Sequence, residues 1–220
     1  MIWFLFVIIL MGILLLTSLY KFENQQFCKL TGYSYLQVLI NKKVRSTYNL
    51  VRKLEKVKDE HKILWHLKLP NSNKIIDLVF VHPSGVYMLN FQKKTGWIFG
   101  REQDDEWVQV HHKDQVGKFS NPIVDNNDAL SFVNRVVPNL DSKVVFSLII
   151  FSDKCTFHKI EINSDNVDVI KTNHLTKYWN DKNQQILSNN DIGKVYNALT
   201  EFVEITEVPK KSEVKHLPVN

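Results

Sequence analysis

The sequence predicts a compact α/β domain with a partly antiparallel and partly parallel sheet, preceded by one N-terminal transmembrane helix. The prediction rests on an uncharged apolar run at the start, strand-like segments in the middle, and helical spacing before and after them. With 220 residues, the chain has room for one domain of common size after the apolar run.

The apolar run extends from Ile2 to Leu19, contains no charge and is 18 residues long. As a helix it would measure roughly 27 Å, close to the hydrocarbon thickness of a bilayer. A cleaved signal peptide is one alternative, but no basic residue precedes the run and no small-x-small site follows it. A buried core helix is another, but Trp3 at one end and Tyr20-Lys21 at the other favour interfacial anchoring. We predict a retained anchor over residues 1–20.

Positive charge is concentrated directly after this run. Residues 21–58 contain nine Lys or Arg and two Glu, a net charge of +7, whereas residues 59–220 contain 19 basic and 21 acidic residues, a net charge of −2. The positive-inside rule predicts a single-pass protein of the cell membrane, with its N-terminus outside and its domain in the cytoplasm. The pI near 9.0 is then explained by a segment that meets anionic lipid, and not by a nucleic-acid-binding surface. Cys28 and Cys155 are expected to be free thiols.

Helical spacing marks the segment after a short polar stretch that ends at Gly32. The following side chains recur every three or four residues, as in one or two amphipathic helices: Leu36, Ile40, Val44, Thr47, Val51, Leu54 and Val57. We place a basic juxtamembrane segment at 21–44, the globular domain at 45–206 and a flexible tail at 207–220.

Strand signals follow in the middle of the chain. Residues 63–67 form a short apolar strand, and residues 75–81 form a well-buried strand with a single charge at Asp77. A His-Pro-Ser-Gly turn then predicts an antiparallel hairpin with residues 86–92. Strands are expected at 97–100 and 107–110, and a polar loop at 111–120.

The last third of the domain predicts helices around one buried strand. Asn121 as N-cap and Pro122 in the first turn predict a helix that stops before Pro138. Residues 144–151 are almost wholly apolar, as in a strand buried on both faces. A less regular region with a short strand at 167–170 follows, and a helix begins after the cap candidates at 189–191.

The hairpin has a layout suited to phosphodiester hydrolysis. In such a site, a carboxylate on one strand and a Glu-x-Lys on the next hold Mg²⁺ and steady the attacking water. Asp77 occupies the first position. The second strand offers Asn90 and Gln92 where Glu and Lys are expected.

The motifs in this region occur in a family-like order. The run IIDLVFVHPSGVYMLNFQKKTGWIFG, then Trp107-Val-Gln and then Phe119-Ser-Asn-Pro-Ile, resembles the nuclease-related domain (NERD) family. The resemblance covers residues 45–137 by motif and extends to about 205 by layout. It implies a restriction-endonuclease-like fold, a mixed sheet flanked by helices, and by analogy metal-dependent DNA cleavage.

Compared with that pattern, the charged site residues are replaced. Family members usually carry Gly-Glu at the start of the first domain helix, where this chain has Ser46-Thr47, and Gln where it has Asp125. The resemblance therefore implies a vestigial site at Thr47, Asp77, Asn90 and Gln92, with Asp77 as its one metal-ligand candidate. A lone Asp in an apolar strand is more often a hydrogen-bonded structural residue.

Several other residues have a functional and a structural interpretation. Lys93 and Lys94 could replace the missing lysine, although such a pair is more often a solvated strand end. His111-His112 and the acidic run 101–106 lack the spacing of metal sites and are expected to be surface loops. Trp97, Phe99 and Trp107 are candidates for base stacking, but half-buried strand aromatics are first of all core residues.

The sequence thus favours a membrane-anchored pseudo-nuclease that serves as a binding or scaffold module and needs no cofactor. Its expected partners are membrane lipid, through the N-terminal helix and basic segment, and a protein; nucleic acid stays open. One alternative is a divergent Mg²⁺-dependent nuclease acting on DNA through Asp77. A second is a lipid-surface module that works through the basic juxtamembrane helix.

Overall fold

The computed structural model describes residues 2–70, 74–111 and 115–203. The chain divides into two compact units, one over Met1–Val51 and one over Arg52–Glu204. The predicted tail at 207–220 and the second residue of the His111-His112 pair lie outside the described residues.

The first unit is helical. Its elements are α1 (Ile2–Glu23), α2 (Gln26–Thr31), α3 (Tyr35–Ile40) and most of α4 (Lys42–Leu54). The predicted apolar helix is confirmed, and it extends past Lys21 to Glu23. By length and composition, α1 can cross a membrane.

The short polar stretch before Gly32 contains helix α2 (Gln26–Thr31). Phe27 on this helix is fully buried, and Gly32 ends the helix in the left-handed conformation with φ 67°. The amphipathic segment forms two helices because Asn41 between them is extended. Ser34 begins α3 with a capping box that includes Gln37.

Strands dominate the second unit. Within the described residues they are β1 (Lys62–Lys68), β2 (Ile75–His82), β3 (Gly85–Gln92), β4 (Gly96–Arg101), β5 (Glu106–Val110), β6 (Val116–Ser120), β7 (Val145–Phe151), β8 (Cys155–Glu161) and β9 (Val167–Lys171). The helices of this unit are α5 (Pro122–Val136), α6 (Leu175–Asp181) and α7 (Asn189–Thr200).

The strands form two mixed sheets. The first has the order β1-β2-β3-β7-β9, antiparallel from β1 to β3 and parallel from β3 to β9. The second has the order β6-β5-β4-β8, in which only β4 and β8 are parallel. The predicted mixed α/β fold and the hairpin of β2 and β3 are confirmed.

Two strands were missed because both lie at an edge of the second sheet. The segment of β6 was predicted as loop, but Val116 and its neighbours pair with β5 through backbone hydrogen bonds. The segment of β8 was predicted as irregular because four of its seven side chains are polar or charged. An edge strand needs few buried side chains, so its sequence carries a weak strand signal.

Helices α5 and α7 cover one face of the first sheet. Phe132 and Val133 of α5 and Ile192 of α7 pack with Val79 and Met88 of the sheet, all nearly inaccessible. Burial of each such side chain stabilises the fold by about 1.5–3 kcal/mol. This packing holds α5 beside β3, the strand that carries Asn90 and Gln92.

Candidate functional site

The hairpin brings three of the four predicted site positions to one place. The last paired residues of β2 and β3 are Leu78 and Leu89, and Asp77 and Asn90 are the next residues along each strand. Asp77 is exposed, whereas Asn90 and Gln92 are half-buried. The fourth position, Thr47, lies half-buried on α4 in the first compact unit.

These residues line an open cleft of about 350 Å³ between the hairpin and α5. Its polar lining residues are Lys74, Asp77, Asn90, Gln92, Asp125 and Asn126. Leu69, Ile75, Ile76, Leu89, Phe91 and Ala129 supply the apolar lining. The cleft is therefore amphiphilic, with most of its polar groups on β3 and on the first turns of α5.

The start of α5 is fixed by Asn121, as its sequence predicts. The Asn121 Oδ1 accepts a 3.0 Å hydrogen bond from the backbone N–H of Ile123. The Asn121 Nδ2 donates to three backbone carbonyls at the end of β4 and in the turn after it: Arg101 (3.3 Å), Glu102 (2.9 Å) and Asp104 (2.6 Å). This buried amide therefore ties the helix to the second sheet and sets the position of Asp125 and Asn126 in the cleft.

A chain of side-chain amides crosses the floor of the cleft. The Gln92 Nε2 donates a 2.7 Å hydrogen bond to the Asn90 Oδ1. The Asn90 Nδ2 donates in turn to the Asn126 Oδ1 and to the Pro122 carbonyl, each at 3.4 Å. The two replaced positions of the predicted Glu-x-Lys are thus joined to each other and to α5.

The interior end of this hydrogen-bonded network is formed by Asn126. The Asn126 Nδ2 donates to the Met88 carbonyl at 3.1 Å and to the Ser147 Oγ at 3.0 Å. Ser147 is fully buried on β7, and the register of β3 and β7 sets it opposite Met88. Buried polar groups need such partners, so the amide of Asn126 satisfies the interior end of the network.

Sequence reasoning missed Asn126 and Ser147. One signal was available: a helix that opens at Pro122 and packs an apolar face on a sheet places Asn126, four residues later, on that same face. A polar residue on a buried helix face calls for a partner, and Ser147 is the polar residue in the otherwise apolar β7.

Charged groups at the cleft are few and lie toward solvent. The carboxylates are Asp77 and Asp125, both exposed. The Lys74 ammonium pairs with Asp128 at 2.5 Å, and the hydrogen bond to Asp128 raises the pKa of Lys74. Lys94, a candidate to replace the missing lysine, is not among the residues that line the cleft, and its ammonium lies 4.2 Å from the centre of the Phe119 ring.

The backbone is irregular directly beside Asp77. His66 of β1 lies opposite Asp77, between the pairs Trp65–Leu78 and Leu67–Ile76, and it has φ 46°. A residue other than glycine seldom adopts this left-handed conformation within a strand. The irregularity therefore lies opposite Asp77, the one acidic residue of the expected site that this chain retains.

The amide oxygens of the cleft already serve as hydrogen-bond acceptors, which leaves Asp77 and Asp125 as its carboxylates. Mg²⁺ takes hard oxygen ligands, commonly including carboxylates. The side-chain oxygens of Asn90 and Asn126 each accept a hydrogen bond from a neighbouring amide. In the part of the chain that the structure describes, no group of three or more His, Cys, Asp or Glu side chains is placed to hold a metal.

A second polar cluster, buried except for Asp59, lies at the hairpin turn and was also missed. The Ser84 hydroxyl is 2.8 Å from both the His82 Nδ1 and the Tyr87 hydroxyl, and the Asp59 carboxylate is 3.5 Å from the His82 Nε2. Burial lowers the pKa of His82 and raises the pKa of Tyr87 to about 12. Although Asp59, His82 and Ser84 are in contact in the order of a catalytic triad, Ser84 is only 2% exposed and its hydroxyl is not accessible to a substrate. These contacts stabilise the turn.

The three aromatic residues considered for base stacking separate into two environments. Trp107 is fully buried, as predicted for a core residue, and its ring stacks on Phe151 with centroids 6.0 Å apart. Trp97 was expected in the core as well, but it is 53% exposed and lies beside the exposed His158. Phe99 is half-buried next to the same histidine.

Comparison with known proteins agrees with this layout. A family described as nuclease-related domain matches residues 42–152, half of the chain. An uncharacterised protein of Bacillus anthracis is 22% identical over 142 residues, which is 64% of this chain and 66% of that relative. The chain thus spans slightly less than two thirds of the relative's length. No solved structure matches the chain.

Proposed function

This chain belongs to the nuclease-related domain family, and from that premise we propose that it is a membrane-anchored member whose cleft binds a partner without cleaving nucleic acid. The helix α1 is the anchor, with the N-terminus outside and the second unit in the cytoplasm. The basic residues of 21–58 meet anionic lipid on the cytoplasmic side.

One observation carries the proposal. At the positions of the expected carboxylate and lysine, Asn90 and Gln92 form a neutral amide pair that continues to Asn126. A carboxylate balances the charge of a divalent ion, and an ammonium stabilises the negative charge that develops during cleavage. A neutral side-chain amide has no charge with which to do either. The network instead keeps the cleft shaped and polar, as a binding site requires.

Neutral amides with paired donors and acceptors recognise groups that offer the complementary pair, such as a peptide backbone or a side-chain amide. The apolar lining residues, among them Leu69, Ile75 and Phe91, add contact area beside them. A protein segment is therefore the partner class that this cleft suits, and the module acts as a scaffold at the membrane.

A second candidate function is a divergent metal-dependent nuclease. It is favoured by the presence of two carboxylates, Asp77 and Asp125, at the rim of one cleft. In that case, Asp77 and Asp125 would hold Mg²⁺ with water completing the shell.

Calorimetric titration of the full chain with Mn²⁺ separates the two candidates. We expect the wild type to bind Mn²⁺ weakly, and the double variant Asn90→Glu, Gln92→Glu to bind it more tightly because carboxylates replace amides. Adding Asp77→Ala to the double variant should remove the gain. Tight binding by the wild type that Asp77→Ala abolishes would favour the nuclease.

A further inference from the structure

Three apolar side chains of α3 face outward and do not pack inside the first unit. Leu36 is 63% exposed, Leu39 44% and Ile40 80%. Their spacing of three and four residues places them on one face of the helix. Val38, on the opposite side, is 5% exposed. The amphipathic stripe predicted from the sequence is therefore buried at Val44, Val51 and Leu54 but exposed on α3.

An aromatic cluster fixes α3 beside the last turn of α1. The ring of Phe22, near the end of α1, packs against Tyr35 of α3 at 5.2 Å and against Tyr48 of α4 at 5.3 Å. Tyr48 also packs on Phe27 of α2, and its hydroxyl donates a 2.9 Å hydrogen bond to the Gln25 Oε1. Phe22 and Phe27 are buried. The apolar face of α3 is thus held in a fixed place where α1 ends.

The surroundings of this face are positively charged. Residues 24–54 contain six Lys or Arg and no acidic residue. Lys42 and Arg45, directly after α3, are exposed. The Arg45 Nε donates a 3.2 Å hydrogen bond to the Val38 carbonyl, so its guanidinium stands at the C-terminal end of α3. An apolar face flanked by cations is typical of helices that lie at the surface of an anionic bilayer.

We propose that α3 is an interfacial helix: Leu36, Leu39 and Ile40 insert at the headgroup level of the bilayer that α1 crosses, and Lys42 and Arg45 bind lipid phosphates. The inference rests on the proposed anchoring by α1. Continuity with α1 favours lipid as the occupant, because the aromatic cluster places α3 where the bilayer surface must be. A second copy of the chain would bring the same positive charge to the same face, which disfavours self-association there.

The experiment uses the full chain in vesicles of phosphatidylserine and phosphatidylcholine. In a background of Cys28→Ser and Cys155→Ala, a polarity-sensitive fluorophore is attached to Ile40→Cys, and the matched control is Asn49→Cys, an exposed position on α4. Gly12→Cys reports on α1, because a Cβ added there meets no atom within 4 Å beyond its chain neighbours and the adjacent helix backbone. Quenching by nitroxide lipids measures the depth of each probe.

We expect the emission at position 40 to shift to the blue and to be quenched by headgroup-level nitroxides, while position 49 shows neither effect. A probe at Leu36→Cys should show the same blue shift and quenching as the probe at Ile40→Cys. In vesicles without phosphatidylserine, quenching of both probes should decrease. A probe at position 12 that deep nitroxides quench, together with a probe at 40 that matches 49, would overturn the interfacial helix and leave the anchor intact. An unquenched probe at position 12 would refute anchoring, and the interfacial helix with it. A blue shift at 40 without lipid quenching, lost when the protein is diluted in lipid, would identify a second copy and also overturn the proposal.

Discussion

The side-chain amide of Gln92 donates a 2.7 Å hydrogen bond to the side-chain carbonyl of Asn90, two residues earlier on β3. Residues two apart on a strand face the same side of the sheet, so this bond joins the two positions at which the expected Glu-x-Lys would stand. The pair carries no charge, and its other end reaches Asn126 and the interior of the protein. The cleft therefore has a structural use for these two amides that is independent of any metal.

Removal of the interior end of the network should destabilise the protein. We expect Asn126→Ala to lower the free energy of unfolding by about 1–3 kcal/mol, because the Ser147 hydroxyl and the Met88 carbonyl lose a partner. Asn127→Ala, at an exposed position on the same helix, is the matched control and should stay within about 0.5 kcal/mol of wild type. Denaturant unfolding in detergent micelles measures both. Equal effects of the two variants would contradict a structural role for Asn126.

Acid should destabilise the fold through His82. Burial lowers the pKa of His82 below its ordinary value, and Asp59 partly opposes the shift. The unfolded chain then takes up a proton at a higher pH than the folded chain. Stability is therefore complete above the ordinary pKa of about 6.5 and falls as the pH drops toward the lowered folded pKa.

The free energy of unfolding should therefore decrease as the pH falls from about 7.5 to about 5.5. His82→Gln should make the free energy of unfolding less dependent on pH over this range. His158→Gln, at an exposed position on β8, is the control and should keep the wild-type slope. If His82→Gln leaves the slope unchanged, another group is responsible for it.

The proposed topology needs an introduced thiol as reporter. Burial raises the pKa of Cys28 to about 11 and also raises the pKa of Cys155, so both native thiols react slowly with maleimide. In the background without them, Ser131→Cys, exposed on α5, should react with an impermeant maleimide only after permeabilisation. Trp3→Cys, exposed at the start of α1, should react in intact cells. The reverse pattern would mean that the second unit lies outside.

Binding of DNA should depend on the basic segment and not on the second unit. Residues 59–220 carry a net charge of −2, and phosphate contacts require clustered Lys or Arg. We expect the detergent-solubilised full chain to bind duplex DNA weakly and to lose that binding when four cations of the segment are changed to Gln: Lys42, Lys43, Arg52 and Lys53.

The matched control changes four exposed lysines of the second unit to Gln: Lys154, Lys159, Lys177 and Lys194. Gel-shift titrations at several salt concentrations measure both variants, and the control should retain the affinity of wild type. Tight, salt-resistant binding that survives the first set of changes would contradict this prediction.

Much of the second unit was predictable because local signals and packing agree there. The turn before Gly85, the cap at Asn121 and the apolar run of β7 each have one interpretation, and the structure confirms them. The edge strands β6 and β8 were not predicted because they are held mainly by backbone hydrogen bonds. Such pairing does not require a regular pattern of apolar side chains. Trp97 was misjudged because strand alternation does not reveal whether the outer face of a sheet is covered.

The sequence indicates where the candidate residues on β2 and β3 lie, but it does not reveal the hydrogen-bonded network that connects them to the rest of the fold. The strand period places Asp77, Asn90 and Gln92 at one end of the hairpin, and the structure places all three at one cleft. The partners Asn126 and Ser147 lie 36 and 57 residues beyond Asn90, so only the tertiary fold brings them together. The exposure of the apolar face of α3 could not be predicted either, because its apolar residues have the same spacing as those of a helix packed against a core.

Cleavage of plasmid DNA by the unmodified full chain tests the central claim most directly. With Mg²⁺ or Mn²⁺, the wild type should leave supercoiled DNA intact, and Asp77→Ala should be indistinguishable from it, because the neutral pair Asn90–Gln92 supplies neither the charge that balances a divalent ion nor an ammonium. Metal-dependent nicking that Asp77→Ala abolishes would contradict the claim and establish the chain as a divergent nuclease.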